Sequence, residues 1–261
     1  MGFMNEKNKL SQIITNAKKE IPSVDEIIDL TLKELNLKND IVFNKFGNIL
    51  VLIDEKASEI YLCHERKALY KFAEEWIKIQ KEDIKKELEN ILAKKNWEDF
   101  IKEASKMFTE FGILMQKFEK DLGNMRKARG GITFQKVVLK LLNFIGIRGE
   151  MPSGKMGENL GRVDIVIPSS EIALKSPDKA IFLTCKRTLR ERWKQETPLV
   201  KYNKKIFLVT LDDNISEKKA YEIDKLGFIA FIRDDIKKDK FASLDCIKSL
   251  NDLPKEILSH V

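Results

Sequence analysis

Between Pro22 and Pro152 the chain contains no proline, and glycine is sparse until Gly123. So long a stretch without the main helix breaker is written for helix, provided its apolar residues recur at helical spacing. They do so in VDEIIDLTLKELNL, from Val24, and in RKALYKFAEEWIKIQKEDIKKELENILAKK, residues 66–95. Asn96 is placed to cap a further helix, WEDFIKEASKMFTEFGILMQKFEKDL, with Glu98 and Asp99 suited to its first turn. The apolar stripes of these helices read as core or dimer packing. One segment departs from the pattern. FGNILVLIDEKASEIYLC, residues 46–63, predicts two strands broken by the polar DEKAS.

Beyond Gly123 the texture changes. ITFQKVVLKLLNFIG predicts a helix, with Val137, Val138, Leu141, Leu142 and Phe144 on or near its buried side and Gly146 near its end. VDIVIP, AIFLTC, KKIFLVTL and FIAFI predict strands. Residues 188–196 predict a short helix ending near Pro198, and SEKKAYEIDKLG a helix stopped by Gly227. Helices alternating with short apolar strands indicate an α/β layer. The expected organisation is a mainly helical region over residues 1–122 followed by an α/β domain over 123–261. No internal repeat or low-complexity linker separates them.

Composition narrows the setting. With 43% hydrophobic residues the chain can build a sizeable core. Cys63, Cys185 and Cys246 are too few and too scattered for a disulfide framework; they form no CxxC pair, and His64 and His260 stand at no metal-ligand spacing from them, so a structural zinc site is not expected. No apolar run approaches the ~20 residues that span a bilayer. The opening MGFMNEKNKL lacks the apolar stretch of a secretory signal, so a reducing, cytoplasmic location is expected. The net charge of +7 suits a nucleic-acid partner, although Lys and Glu together also compose a solvated helical surface.

The chemistry-bearing residues lie around two strands. In GRVDIVIP, Asp164 opens a strand bounded by Pro168, and alternation places Asp164, Val166 and Pro168 on one face, opposite Val163, Ile165 and Ile167. A carboxylate there can bind a divalent cation; it can equally pair with Arg162 or cap a turn. Lys186 ends the next apolar strand. If the two strands are hairpin neighbours, their ends converge and the pair suits phosphodiester hydrolysis. The carboxylate would hold Mg²⁺, and the lysine would position or deprotonate water or neutralise the oxyanion. An ordinary solvated lysine at a strand end is the competing reading. Arg190, Glu191 and Arg192 then cluster at a helix start, beside Trp193, which reads most simply as a core anchor. Thr188 and Glu191 fit a capping box. Two arginines beside an acid also fit readout of a G·C pair, because arginine donates to guanine N7 and O6 while glutamate accepts from cytosine N4.

The order RxD, a strand ending in lysine, then KRTLRERWKQ resembles the type II restriction endonucleases of the PD-(D/E)XK superfamily, in particular the EcoRII, SsoII and PspGI group, the CCGG family. Upstream, RGGITFQ (residues 129–135) is similar to that group's Arg-x-Gly-x-x-Φ-Glu segment; on its residues alone, RKARGG is a basic, flexible helix connection. The resemblance covers about residues 126–235. It implies a restriction-endonuclease-like core, a mixed central sheet flanked by helices, preceded by a largely α-helical region that makes dimer contacts and clamps the DNA backbone. It further implies Mg²⁺-dependent, site-specific double-strand cleavage of DNA by a homodimer, at a palindromic site with C·G-rich half-sites, and a cognate DNA methyltransferase in the same system. Asp164 and Lys186 would be catalytic. Arg190, Glu191 and Arg192 would read adjacent C·G pairs, Arg129 would approach DNA, and Gly131 would keep the helix entrance close to another backbone.

Three positions depart from the group's pattern. Val163 replaces a proline, Gln135 replaces the helix glutamate, and Thr184 occupies the (D/E) position. The group's compensating glutamate falls at Leu199, so Glu196, nearly one helical turn earlier, is the candidate second metal carboxylate with Asp164, and Gln135 completes the candidate catalytic set. Two other readings stay open: a junction or repair nuclease of the same fold, and a non-catalytic DNA-binding protein.

Overall fold

The computed structural model describes residues 2–94, 96–161, 163–189 and 205–260. Five strands form one sheet in chain order: β1 (Ile165–Ile167), β2 (Ile181–Lys186), β3 (Lys205–Thr210), β4 (Ile229–Ile232) and β5 (Ile247–Ser249). β1 runs antiparallel to β2, whereas β2 to β5 run parallel, so the sheet is mixed. IFLTCK and KIFLVT in β2 and β3 are almost continuously apolar and buried, the signature of parallel strands covered on both faces.

The two coverings are distinct. One cluster joins Ile165, Leu183, Phe207 and Phe231 of the sheet to Phe134, Val138 and Leu142 of helix α6 (Trp97–Phe144) and to Phe46, Leu50 and Ile53 of α4 (Phe46–Ile79). The other joins Val166, Phe182, Leu208 and Ala230 to Leu160 of α7 (Gly154–Leu160), Ala173 of α8 (Ser170–Lys175), and Ala220 and Ile223 of α9 (Glu217–Lys225). Gly227, at φ 71°, stops α9 as the sequence indicates. The Asn96 cap is also present, its side-chain oxygen accepting from the Glu98 N–H at 2.9 Å.

Two sequence expectations are corrected. Residues 46–63 are not a strand pair but lie within helix α4. Phe46, Leu50, Ile53 and Ala57 recur at spacings of three and four and are all buried, so helical period governs a segment whose dense aliphatic residues imitate strands. The RKARGG stretch is not a break either, since α6 continues through Gly130 and Gly131. A Cβ built on Gly131 would meet nothing within 4 Å among the described residues, so no backbone approaches it there.

Compactness does not follow a single cut after residue 122. One unit comprises residues 1–23 and 58–128; the other comprises 24–57 and 129–261. The first has its own core, in which Ile13, Ala17 and Ile21 of α1 (Gly2–Lys18) and the turn after it pack with Phe72 and Phe118, whose rings stack at 4.6 Å. Residues 24–57 belong with the sheet because their apolar side chains complete its core. At Gly47 the approach is so close that a Cβ would come within 2.5 Å of the Leu250 Cβ, and the Gly47 N–H donates to the Asn251 Oδ1 at 3.0 Å. No helix among the described residues is long and apolar enough to cross a membrane.

Candidate active site

Antiparallel pairing sets Ile165 opposite Leu183, which brings Asp164, just before β1, level with the end of β2. The Asp164 N–H donates to the Leu183 carbonyl at 3.1 Å. Regular alternation begins only at Ile165: Val163 packs with Val166 rather than with Ile165 and Ile167, as the sequence had it. Lys186, the last residue of β2, reaches toward the same point. Its Nζ lies 3.9 Å from the Asp164 Oδ2, and the two side chains are only 19% and 13% exposed. The ammonium is thus within ion-pair range of the carboxylate but beyond hydrogen-bonding distance.

The Asp164 carboxylate is fixed from several sides. Oδ1 accepts from the Gln135 Nε2 at 2.6 Å, and Oδ2 accepts from the Cys185 backbone N–H at 2.7 Å and from the Thr184 hydroxyl at 3.4 Å. Such donors hold the carboxylate in one orientation. Thr184, at the position where the resemblance implies a carboxylate, is fully buried. Cys185 is buried beside the site, and burial, then the negative charge of Asp164, pushes its thiol pKa well above the ordinary value.

Gln135, Asp164 and Lys186 are therefore brought together. Arg129 lies half-buried on α6, within two turns of Gln135. Arg190, Glu191, Arg192 and Glu196 lie outside the described residues. Asp54 was not singled out by the sequence. From helix α4 it accepts from the Arg187 guanidinium at 2.7 Å, one residue beyond Lys186. Burial pushes the Asp54 carboxyl pKa up, and Arg187 offsets part of that rise. The helical spacing of Phe46, Leu50 and Ile53 was the signal that could have placed Asp54 on a helix.

The family described as EcoRII C terminal matches residues 89–245, more than half of the chain. The chain belongs to the EcoRII C-terminal family. This is the restriction-endonuclease grouping that the residues around Lys186 resemble, and the matched span contains Gln135, Asp164, Thr184 and Lys186. Asp54 lies before it.

Solved structures place the fold of this EcoRII C-terminal family member among restriction endonucleases. Metal-depleted Ecl18kI in complex with uncleaved, modified DNA superposes with a TM-score of 0.76 at 16% identity, covering 96% of this chain and 83% of that one. The complex of restriction endonuclease PspGI with substrate DNA gives a TM-score of 0.65 at 21% identity, covering 94% and 95%. Comparison with curated protein sequences returns no match.

Proposed function

We propose that the protein is a Mg²⁺-dependent type II restriction endonuclease that makes site-specific double-strand breaks in DNA. The observation that carries this reading is the meeting of Asp164 and Lys186 at adjoining strand termini, with the carboxylate held by Gln135 and the Cys185 N–H. Family membership and the DNA complexes of Ecl18kI and PspGI support DNA as the substrate.

The residues fit a magnesium ion. Mg²⁺ takes oxygen ligands, keeps several waters, and is commonly held by one or two carboxylates together with substrate phosphate. Asp164 would supply one carboxylate and Glu196 is the candidate for the second, while the Gln135 amide holds Asp164 and can hydrogen-bond to water. When bound, Mg²⁺ polarises water and neutralises phosphate charge. Lys186 positions or helps deprotonate the attacking water and stabilises negative charge on the phosphorane. The water oxygen bonds to phosphorus as the P–O3′ bond breaks, leaving a 5′-phosphate and a 3′-hydroxyl. Arg190, Glu191 and Arg192 read C·G pairs, and Arg129 contacts the DNA backbone. Cutting both strands of a palindromic site calls for a two-fold homodimer, with the region over 1–122 serving dimer contacts and backbone clamping. A cognate methyltransferase would protect the host's own sites.

A second reading, DNA binding without cleavage, draws on Thr184, whose buried hydroxyl stands in place of a carboxylate. One experiment separates the two. Plasmid DNA is incubated with the protein and Mg²⁺, and the resulting ends are sequenced. Discrete ends at one sequence support the restriction enzyme. Cutting confined to junctions supports a shape-selective nuclease, and intact DNA across diverse unmethylated plasmids contradicts cleavage.

A further inference from the structure

Leu189 is the last residue before the Arg190-Glu191-Arg192 triplet and follows Lys186 by three positions. It belongs to no strand, and a backbone in such a connection ordinarily gives its polar groups to water. Both of its backbone groups are instead captured by side chains. The Leu189 N–H donates to the Asp212 Oδ2 at 2.7 Å, and its carbonyl accepts from the Lys219 Nζ at 2.7 Å. The two capturing groups are themselves paired, with Lys219 Nζ 3.6 Å from Asp212 Oδ2. The Leu189 side chain is buried in the cluster that contains Ala220 and Ile223.

Asp212 is in turn tied to the strand beside Lys186. Its carboxylate is 7% exposed, and its other oxygen accepts from the Asn214 N–H at 3.0 Å. Its own N–H donates to the Thr210 Oγ1 at 3.1 Å. Thr210 is the residue of β3 in register with Lys186 of β2, and its hydroxyl donates to the Arg187 carbonyl at 3.5 Å. Residues 187–189 are thus pinned, through one buried carboxylate and its lysine, to the strand end that flanks Lys186. A buried carboxylate is tolerated where its oxygens are satisfied, and charge-assisted bonds hold one geometry more tightly than neutral ones.

We propose that Asp212 and Lys219 are positioning residues: by clamping the Leu189 backbone they fix, relative to Lys186, the point in the chain from which the base-reading triplet follows, and so couple sequence readout to the scissile phosphate. This rests on the proposed roles of Lys186 and of Arg190, Glu191 and Arg192. Readout demands such a clamp, because bidentate contacts to base edges lose their advantage when the reading segment is displaced by about 1 Å.

The test is selection from a randomised duplex DNA library in metal-free buffer, using the wild-type protein and the Asp212→Ala, Asp212→Asn, Lys219→Met and Arg192→Ala variants. Affinity for one fixed random-sequence duplex and the melting temperature are measured alongside. Asp212→Ala and Lys219→Met are expected to enrich the wild-type site roughly 10-fold less, the worth of one mismatched base pair, while affinity for the random duplex stays within about twofold. Asp212→Asn, which keeps a carbonyl acceptor for the Leu189 N–H, recovers part of the enrichment. If Asp212→Ala does not fold, Lys219→Met decides the matter. Wild-type enrichment by Asp212→Ala and Lys219→Met overturns the clamp. So does an equal loss of affinity for every duplex with a lowered melting temperature, which marks a merely structural role. Failure of the underlying reading looks different: a wild-type protein that enriches no sequence, or an Arg192→Ala variant that enriches fully, contradicts base reading and takes the clamp with it.

Discussion

Gln135 and Asp164 meet through one short hydrogen bond, the Nε2 of a helix residue lying 2.6 Å from the Oδ1 of a residue at a strand mouth. An amide can donate there; a carboxylate cannot. Replacing Gln135 by Glu removes the donor and sets two negative charges face to face, which favours protonation of one of them. Without metal, Gln135→Glu is expected to destabilise the fold by about 1–3 kcal/mol, the usual cost of an orphaned buried polar group. Added Mg²⁺ should raise its melting temperature more than it raises that of the wild type. Equal melting temperatures in chelator and equal shifts with Mg²⁺ would contradict this reading of the pair.

The three cysteines differ sharply in environment. Cys63 is exposed, Cys246 is half-buried, and Cys185 is buried next to Lys186. Because the thiolate is the nucleophile, burial that raises the Cys185 thiol pKa also suppresses its reactivity. Brief alkylation of the native protein, mapped by mass spectrometry, is expected to modify Cys63 first and Cys185 only after unfolding. Early labelling of Cys185 would place the end of β2 at the surface.

Asp234 opens helix α10 (Asp234–Lys240), where its carboxylate accepts from the Lys238 ammonium at 2.7 Å and the Ser249 hydroxyl at 2.9 Å. The Lys238 bond chiefly, with Ser249 assisting against partial burial, holds its carboxyl pKa below the ordinary value. A depressed pKa contributes stability that is present above the unfolded-state value of ~3.9 and is lost as pH falls through the lower folded-state value. Asp234→Asn is therefore expected to cost about 0.5–1 kcal/mol at pH 7. The difference should close in acid denaturation series below about pH 4. A difference that persists unchanged at pH 3 would assign the effect to something other than charge.

Much of this architecture is legible in the sequence, and the failures have physical causes. The strands at 165–167, 181–186, 205–210 and 229–232 announce themselves as short apolar runs bounded by Gly, Pro or polar residues. IKS in β5 carries too little apolar length to do so. Residues 46–63 mislead because aliphatic density at Ile49–Ile53 hides the period set by Phe46, Leu50 and Ile53. That same error concealed Asp54 and its bond to Arg187. Asp164 and Lys186 were readable because strand ends in an antiparallel pair must converge. The donors that orient Asp164 are less so: the Cys185 N–H is backbone, which no side-chain motif encodes, and Thr184 carries a hydroxyl at the (D/E) position of the superfamily motif. Asp212 and Lys219 carry no sequence signal because their partner is the main chain of Leu189.

The most direct measurement is single-turnover cleavage of the selected DNA site with Mg²⁺ by wild-type protein and Lys186→Ala, with DNA affinity taken in metal-free buffer. The Asp164–Lys186 site requires that the variant lose at least ~10²-fold in rate, the scale of one positioned proton-transfer group, while binding DNA as tightly as the wild type. Cleavage by Lys186→Ala at the wild-type rate would contradict it.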